Sequence, residues 1–244
     1  MESYRALPSS NSEQASRQKT TNTTLRVRSW CSRRVHIVVE NGLFRVPGYL
    51  LVQESGTFGD MFTLPPDNQG STTNNPIDLQ QYKQSDFRNL MKALYPKSVD
   101  PFDRHLLDLS NHVRSRSVSL QLTLSKEEWV SILKISCPLF FLRLREMAIS
   151  ELERCCQLSS SDKITLGREC GIPSWLTQGY EELVGQETIT DHEARVVEYL
   201  PTLRIFRIRE QKLRRTIGNI RAEVEKVFEE EIEVVRGREQ AFQE

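Results

Sequence analysis

The stretch VHIVVENGLFRVPGYLLVQESGTFGDMF, residues 35–62, has the strongest structural pattern in the chain. It opens with a β-branched run over residues 35–40, and the dipeptide Asn41-Gly42 that follows suits the positive φ angles of a tight turn. A second extended apolar run covers residues 43–46 and ends at Pro47-Gly48. This pattern predicts a β-hairpin whose turn is formed by Asn41-Gly42.

Two short helices and a short strand are predicted after the hairpin. Apolar residues recur at helical spacing from Tyr49 to Phe62, and Ser55-Gly56 interrupts them. A polar loop leads to a three-residue strand, Ile77-Asp78-Leu79. A third helix should then begin with Ser85 as its N-cap, and its apolar stripe is formed by Phe87, Leu90, Met91 and Leu94.

The second half of the chain is predicted to be helical. Ser125 and Glu128 have the spacing of a capping box, and the helix that they begin should end near Pro138. Another helix is expected over residues 141–156, and helical patterns continue from Ser161 to the end of the chain. A small mixed sheet flanked by helices and followed by an all-helical region belongs to the α+β class.

Composition argues against several classes of function. Lysine and arginine number 33, as do aspartate and glutamate, whereas nucleic-acid binding normally needs a basic excess. Residues 135–144 form the longest apolar run, which is too short to cross a bilayer. Residues 1–29 have the composition of a disordered tail and lack the apolar core of a secretory leader. We therefore expect an intracellular protein, cytoplasmic or nuclear, with neither nucleic acid nor membrane as a partner.

No catalytic, cofactor or metal site is predicted. The chain has five cysteines and four histidines, and their spacing matches no zinc or redox motif. It also lacks a glycine-rich phosphate loop and a Gly-x-Ser-x-Gly nucleophile elbow. The expectation is a protein without enzymatic activity, without a cofactor and without a small-molecule substrate.

A heptad pattern runs through the C-terminal region, residues 201–244. Steps of three and four from Val196 pass through apolar residues, interrupted by Glu210 and Glu231: Tyr199, Leu203, Phe206, Leu213, Ile217, Ile220, Val224, Val227 and Val234. Basic residues dominate 204–221 and glutamates dominate 223–233. One long amphipathic helix is predicted. It either pairs as a coiled coil with a second, antiparallel helix or folds back on the chain.

Three segments, in this order, resemble the BTB/POZ domain family, most closely the divergent form of many fungal proteins of unassigned role. They are residues 35–62, NPIDLQQYKQSDFRNLMKALYP and LSKEEWVSILKISCPLFFLRLREMAISEL. The Ser-x-x-Phe signature of the family corresponds to Ser55 and Phe58, and its following Met-Phe corresponds to Met61 and Phe62. The stretch DKITLGRECGIPSWLTQGYEELV is similar to the helical tail of those fungal proteins.

This resemblance implies a BTB/POZ-like domain over residues 30–157, with an insertion at 97–122, and then a helical extension over 158–200. The function it implies is that of a protein-protein interaction scaffold or adaptor that forms a homodimer through its BTB half. A substrate adaptor of a cullin-type ubiquitin ligase and a transcription regulator remain alternatives. The predicted contact residues, from the first helices and the heptad, are Leu50, Leu51, Phe58, Met61, Phe62, Leu213, Ile217, Ile220, Val224 and Val227.

Overall fold

A computed structural model of the chain describes residues 34–63, 70, 72–96 and 124–243. The described part is a mixed α+β structure, mostly helical, with one three-stranded sheet and eleven helices. The predicted α+β class is thus confirmed, while the predicted tail at 1–29 and insertion at 97–122 lie outside the described residues. The chain divides into an N-terminal unit, Met1–Arg88 with Leu139–Phe141, and a C-terminal unit, Asn89–Pro138 with Leu142–Glu244.

The sheet of the N-terminal unit is built on the predicted hairpin. Strands β1 (Arg34–Val39) and β2 (Gly42–Pro47) pair antiparallel, and β3 (Ile77–Asp78) pairs parallel with β1, in the order β2-β1-β3. The predicted turn is wrong by one residue, because Val39 lies opposite Gly42 and the loop is therefore Glu40-Asn41. Glu40 takes the positive φ of 48°. This register buries one face of β1, formed by Val35, Ile37 and Val39.

Ser55 separates the two predicted helices, α1 (Gly48–Glu54) and α2 (Gly56–Thr63). Its hydroxyl accepts a hydrogen bond from the Phe58 backbone N–H at 3.1 Å and donates to the Leu139 carbonyl at 2.6 Å. Phe58 is fully buried, and its ring packs against Phe62 and Phe141. The Ser-x-x-Phe motif therefore combines a helix cap with a core anchor.

Helix α3 (Gln84–Leu94) begins two residues earlier than expected from a cap at Ser85. Ser85 lies inside the helix, so its predicted role as N-cap is wrong. A partner distant in sequence caps the helix instead, since the Gln84 backbone N–H donates to the Glu40 carboxylate at 2.8 Å. Glu40 belongs to the hairpin turn, which is why local sequence could not indicate this cap.

The two serines provide a matched test. We expect Ser55→Ala to lower the free energy of unfolding by about 1–3 kcal/mol, because it removes the α2 cap and leaves the Leu139 carbonyl without this donor. Ser85→Ala should change it by less than about 0.5 kcal/mol, since Ser85 is exposed. Urea unfolding followed by circular dichroism measures both. Equal effects of the two substitutions would contradict the capping role of Ser55.

Three helices of the C-terminal unit begin at a capping box, and the one capped by Ser159 begins ahead of the predicted Ser161. The capping box of Ser125 and Glu128 is present, and the same device starts two further helices at Ser159 and Thr190. The boundary between the two units falls within α3. The helices after it are α4 (Lys126–Ser136), α5 (Leu142–Cys155), α6 (Ser160–Cys170), α7 (Pro173–Gly185) and α8 (Asp191–Val197).

The predicted single helix over 201–244 is wrong. Three helices occupy this region: α9 (Tyr199–Leu213), α10 (Ile220–Val227) and α11 (Glu229–Gln240). Arg215 adopts a left-handed φ of 55°, and the Asn219 side chain caps α10 by accepting from the Ala222 N–H. The break lets α9, α10 and α11 pack around α7 in one core, formed by Ile164, Leu176, Tyr180, Leu183, Val184, Val197, Ile205, Ile208, Val224, Phe228, Ile232 and Val235.

A polar network lies beside this core. The Arg168 guanidinium donates to the Glu231 carboxylate at 2.7 Å and to the Tyr180 hydroxyl at 2.8 Å, and the Tyr180 hydroxyl donates to Glu231 at 2.9 Å. Arg168 also reaches the carbonyls of Val196 and Val197. Burial and the neighbouring Glu231 raise the pKa of Tyr180, so its hydroxyl stays protonated. The network links α6, α7, the C-terminal end of α8 and α11.

Candidate protein-interaction surface

The predicted contact residues of the N-terminal unit are mainly core residues. Leu51 and Phe58 are fully buried, and Phe62 is nearly so. Leu50 and Met61 are partly exposed. The apolar pattern of α1 and α2 is therefore explained by the packing of their own unit. The prediction that Leu51, Phe58 and Phe62 contact a partner is wrong, because their surfaces are already covered within their own unit.

The predicted contact residues of the C-terminal unit are divided by the break after α9. Val224 is fully buried, so the prediction that it contacts a partner is also wrong. Ile217, Ile220 and Val227 are partly buried against the helical core. Leu213 is 83% exposed. Of the five predicted contact residues in this unit, Leu213 alone is mostly exposed.

Helix α9 has apolar residues on both of its faces. Its inward face is formed by Thr202, Ile205 and Ile208, which are buried. Its outer face has four large apolar side chains, Tyr199, Leu200, Leu203 and Phe206, which are 75%, 65%, 44% and 48% exposed, and Leu213 at its end. We call these five residues the α9 outer face. Contiguous exposed apolar side chains of this kind mark interaction sites more often than scattered ones do.

Helical geometry explains why these side chains lie together. Tyr199, Leu203 and Phe206 are spaced i, i+4 and i+7, and Leu213 is one heptad beyond Phe206. The heptad pattern from Val196 includes all four of these residues, but it predicts that they form the contact stripe of one continuous helix. Leu200 was missed, although it precedes Leu203 by three residues and so extends the same face.

Cations border the α9 outer face on both sides. Arg207 and Arg214 follow Leu200 by one and two heptads, which places them along one edge. On the other side, the Arg209 guanidinium lies 5.7 Å from the centre of the Phe206 ring and donates to the carbonyls of Gln186 and Glu187. Glu210 is the acidic residue within α9, and it pairs with Arg214. The border of the surface is therefore basic.

Neither a membrane span nor a metal-ligand cluster is found in the described part of the chain. None of the described helices is both long and apolar enough to cross a membrane. Likewise, across residues 34–63, 70, 72–96 and 124–243, no three His, Cys, Asp or Glu side chains are grouped so that they could hold a metal ion. The α9 outer face is the surface that stands out.

Comparison with known proteins gave no match: no family model fits the chain, and no curated protein and no solved structure is detectably similar to it.

Proposed function

We propose that this chain is a non-catalytic protein-interaction module, an adaptor or scaffold, that binds a partner protein through the α9 outer face. The observation that carries the proposal is the set of five large apolar side chains that α9 exposes while its opposite face is buried in the core. Aromatic residues such as Tyr199 and Phe206 contribute strongly to binding energy at the centres of protein interfaces.

The partner element that fits this surface is an acidic amphipathic helix. An apolar helix face would cover Leu203 and Phe206, and flanking carboxylates would meet Arg207 and the other bordering cations. Pairing of α9 with the α9 of a second copy is less favourable, because it brings basic borders together. Charge complementarity therefore favours a different, acidic helix over self-pairing at this surface.

The BTB/POZ resemblance supports the same general role for the N-terminal unit. The resemblance rests on the order hairpin, two short helices, short strand and helix, and the described residues contain these elements in that order. A homodimer formed through this unit is part of the proposal, with the cullin-ligase adaptor and the transcription regulator as narrower versions of it.

Synthetic helical peptides test the partner chemistry. The full chain is titrated into two labelled peptides of 15 residues, the length of α9, which share a leucine stripe and carry either glutamate or lysine on the remaining faces. Fluorescence anisotropy should show binding of the acidic peptide, weakening as salt is raised, and not of the basic one. Light scattering of the chain alone reports whether it self-associates.

Paired substitutions locate the binding site. The double variant Leu203→Glu, Phe206→Glu should weaken binding of the acidic peptide at least tenfold, about 1.4 kcal/mol. Val234→Glu is the matched control, since Val234 is an exposed apolar residue on α11 and should have no effect on binding. Equal binding of both peptides, or no binding of either, would overturn the acidic-helix proposal. Retention on anionic vesicles without peptide binding would instead assign the surface to membranes.

A further inference from the structure

Two buried cysteines of the C-terminal unit are neighbours in space. Cys137 follows α4, Cys170 is the last residue of α6, and they are 5% and 2% exposed. Both are free, and the Cys137 thiol donates to the Cys170 carbonyl oxygen, 3.7 Å from sulfur to oxygen. Two thiols that are distant in sequence therefore share one site in the core.

A buried guanidinium lies at the same site. Arg145, on α5, is 7% exposed, and its Nη2 donates to the carbonyls of Cys170 at 3.1 Å and Gly171 at 3.0 Å. Its Cζ atom lies 4.2 Å from the centre of the Phe242 ring. The buried Nε has no hydrogen-bond partner. The buried positive charge of Arg145 is thus surrounded by two carbonyl dipoles and the Phe242 ring. It can therefore also stabilise a nearby anion.

The surroundings make the two thiols unequal. A hydrogen bond from Cys170 and the positive charge of Arg145 lower the pKa of Cys137 against the opposing effect of burial. The hydrogen bond with Cys137 and burial raise the pKa of Cys170. A thiolate is the nucleophilic form of cysteine, whereas a neighbouring thiol can resolve the product that it forms. The nearby positive charge of Arg145 and the lowered pKa favour Cys137 as the attacking sulfur and Cys170 as the resolving one.

We infer that Cys137 and Cys170 form a peroxide-sensitive thiol pair that closes to a disulfide, with Arg145 as the positioning residue. The Cys137 thiolate attacks one oxygen of a hydroperoxide, the O–O bond breaks, and the leaving oxygen takes a proton as water or an alcohol. Cys170 then attacks the sulfur of the resulting sulfenic acid, so that the S–S bond forms and the S–O bond breaks. The departing hydroxide takes the Cys170 proton as water. This modification site is independent of the proposed binding function.

Peptide mapping of the full chain tests the inference. The reduced protein is treated with hydrogen peroxide, blocked with N-ethylmaleimide and digested with trypsin, which places Cys137, Cys170 and the vicinal pair Cys155-Cys156 in separate peptides, 135–143, 169–195 and 155–163. Mass spectrometry should detect a 135–143 to 169–195 cross-link. Alkylated Cys137 and Cys170 after treatment, or a cross-link through Cys155 or Cys156 in its place, would overturn the inference.

Single substitutions assign the role of each residue. Cys170→Ser should leave a sulfenic acid on Cys137 that a 1,3-diketone reagent traps, whereas Cys137→Ser should leave Cys170 unmodified. The reverse pattern would overturn the assignment of Cys137 as the attacking sulfur. Arg145→Gln should shift the pH profile of cross-linking upward, and Arg145→Lys should restore part of the shift. A purely structural role for Arg145 predicts no such shift in variants that remain folded.

Discussion

Phe228→Ala is expected to lower the free energy of unfolding by about 3–5 kcal/mol, because it removes a fully buried ring from the helical core. The Phe228 ring stacks on Tyr180, with ring centroids 4.0 Å apart and an angle of 12° between the rings. Its backbone also separates α10 from α11, since Phe228 is the C-cap of α10. The neighbouring side chains can fill the resulting cavity only in part, because they are core residues that their own helices hold in place.

Phe206→Ala is the matched control for this prediction. Phe206 lies on α9, and almost half of its surface is exposed. Its truncation should change the free energy of unfolding by about 1 kcal/mol or less. Denaturant unfolding monitored by circular dichroism measures both variants. Similar losses for Phe228→Ala and Phe206→Ala would contradict the inward and outward assignments of these two rings, and with them the α9 outer face.

Arg168→Met should lower the free energy of unfolding by about 2–4 kcal/mol. The substitution leaves the Glu231 carboxylate and the Tyr180 hydroxyl without their shared donor. The side chains of Arg168 and Glu231 are 23% and 26% exposed, so solvent replaces the lost interactions only in part. Breaking one side of a buried ion pair typically costs about 3–5 kcal/mol, and the partial exposure of this pair reduces the expected loss to about 2–4 kcal/mol.

Arg214→Met controls for the loss of a surface charge. Arg214 pairs with Glu210 one helical turn away, and their side chains are 69% and 58% exposed. An exposed pair of this kind contributes about 0.5 kcal/mol or less, so its removal should be nearly neutral. Combining Arg168→Met with Glu231→Gln measures the coupling directly. A double variant whose loss equals the sum of the two single losses would show that Arg168 and Glu231 do not stabilise one another.

Local sequence signals predicted much of the helical structure. The capping box of Ser125 and Glu128 begins α4 as expected, and the break at Ser55-Gly56 and the short strand at Ile77 are present. These features are predictable because their hydrogen bonds and periodicities involve residues close in sequence. The break after α9 also has a local signal, since Gly218-Asn219 combines a helix breaker with a good N-cap.

Contacts between distant residues decided other features. The hairpin turn falls on Glu40-Asn41 because β1 takes the register that buries its apolar face. Glu40 then caps α3 across more than forty residues of chain. The proximity of Cys137 and Cys170 likewise depends on the relative positions of the ends of α4 and α6. No local pattern in a single sequence specifies such pairings.

Helix α9 shows most clearly which features the sequence determines and which ones depend on tertiary packing. Sequence by itself determined that the region around residues 199–213 is helical and has apolar positions at heptad spacing. Two apolar stripes are present on the helix, however, one through Ile205 and Ile208 and the other through Leu203 and Phe206. Both satisfy the same periodicity, so hydrophobic pattern alone cannot choose between them. Packing against Tyr180 and its neighbours in the core buries the first stripe and leaves the second exposed.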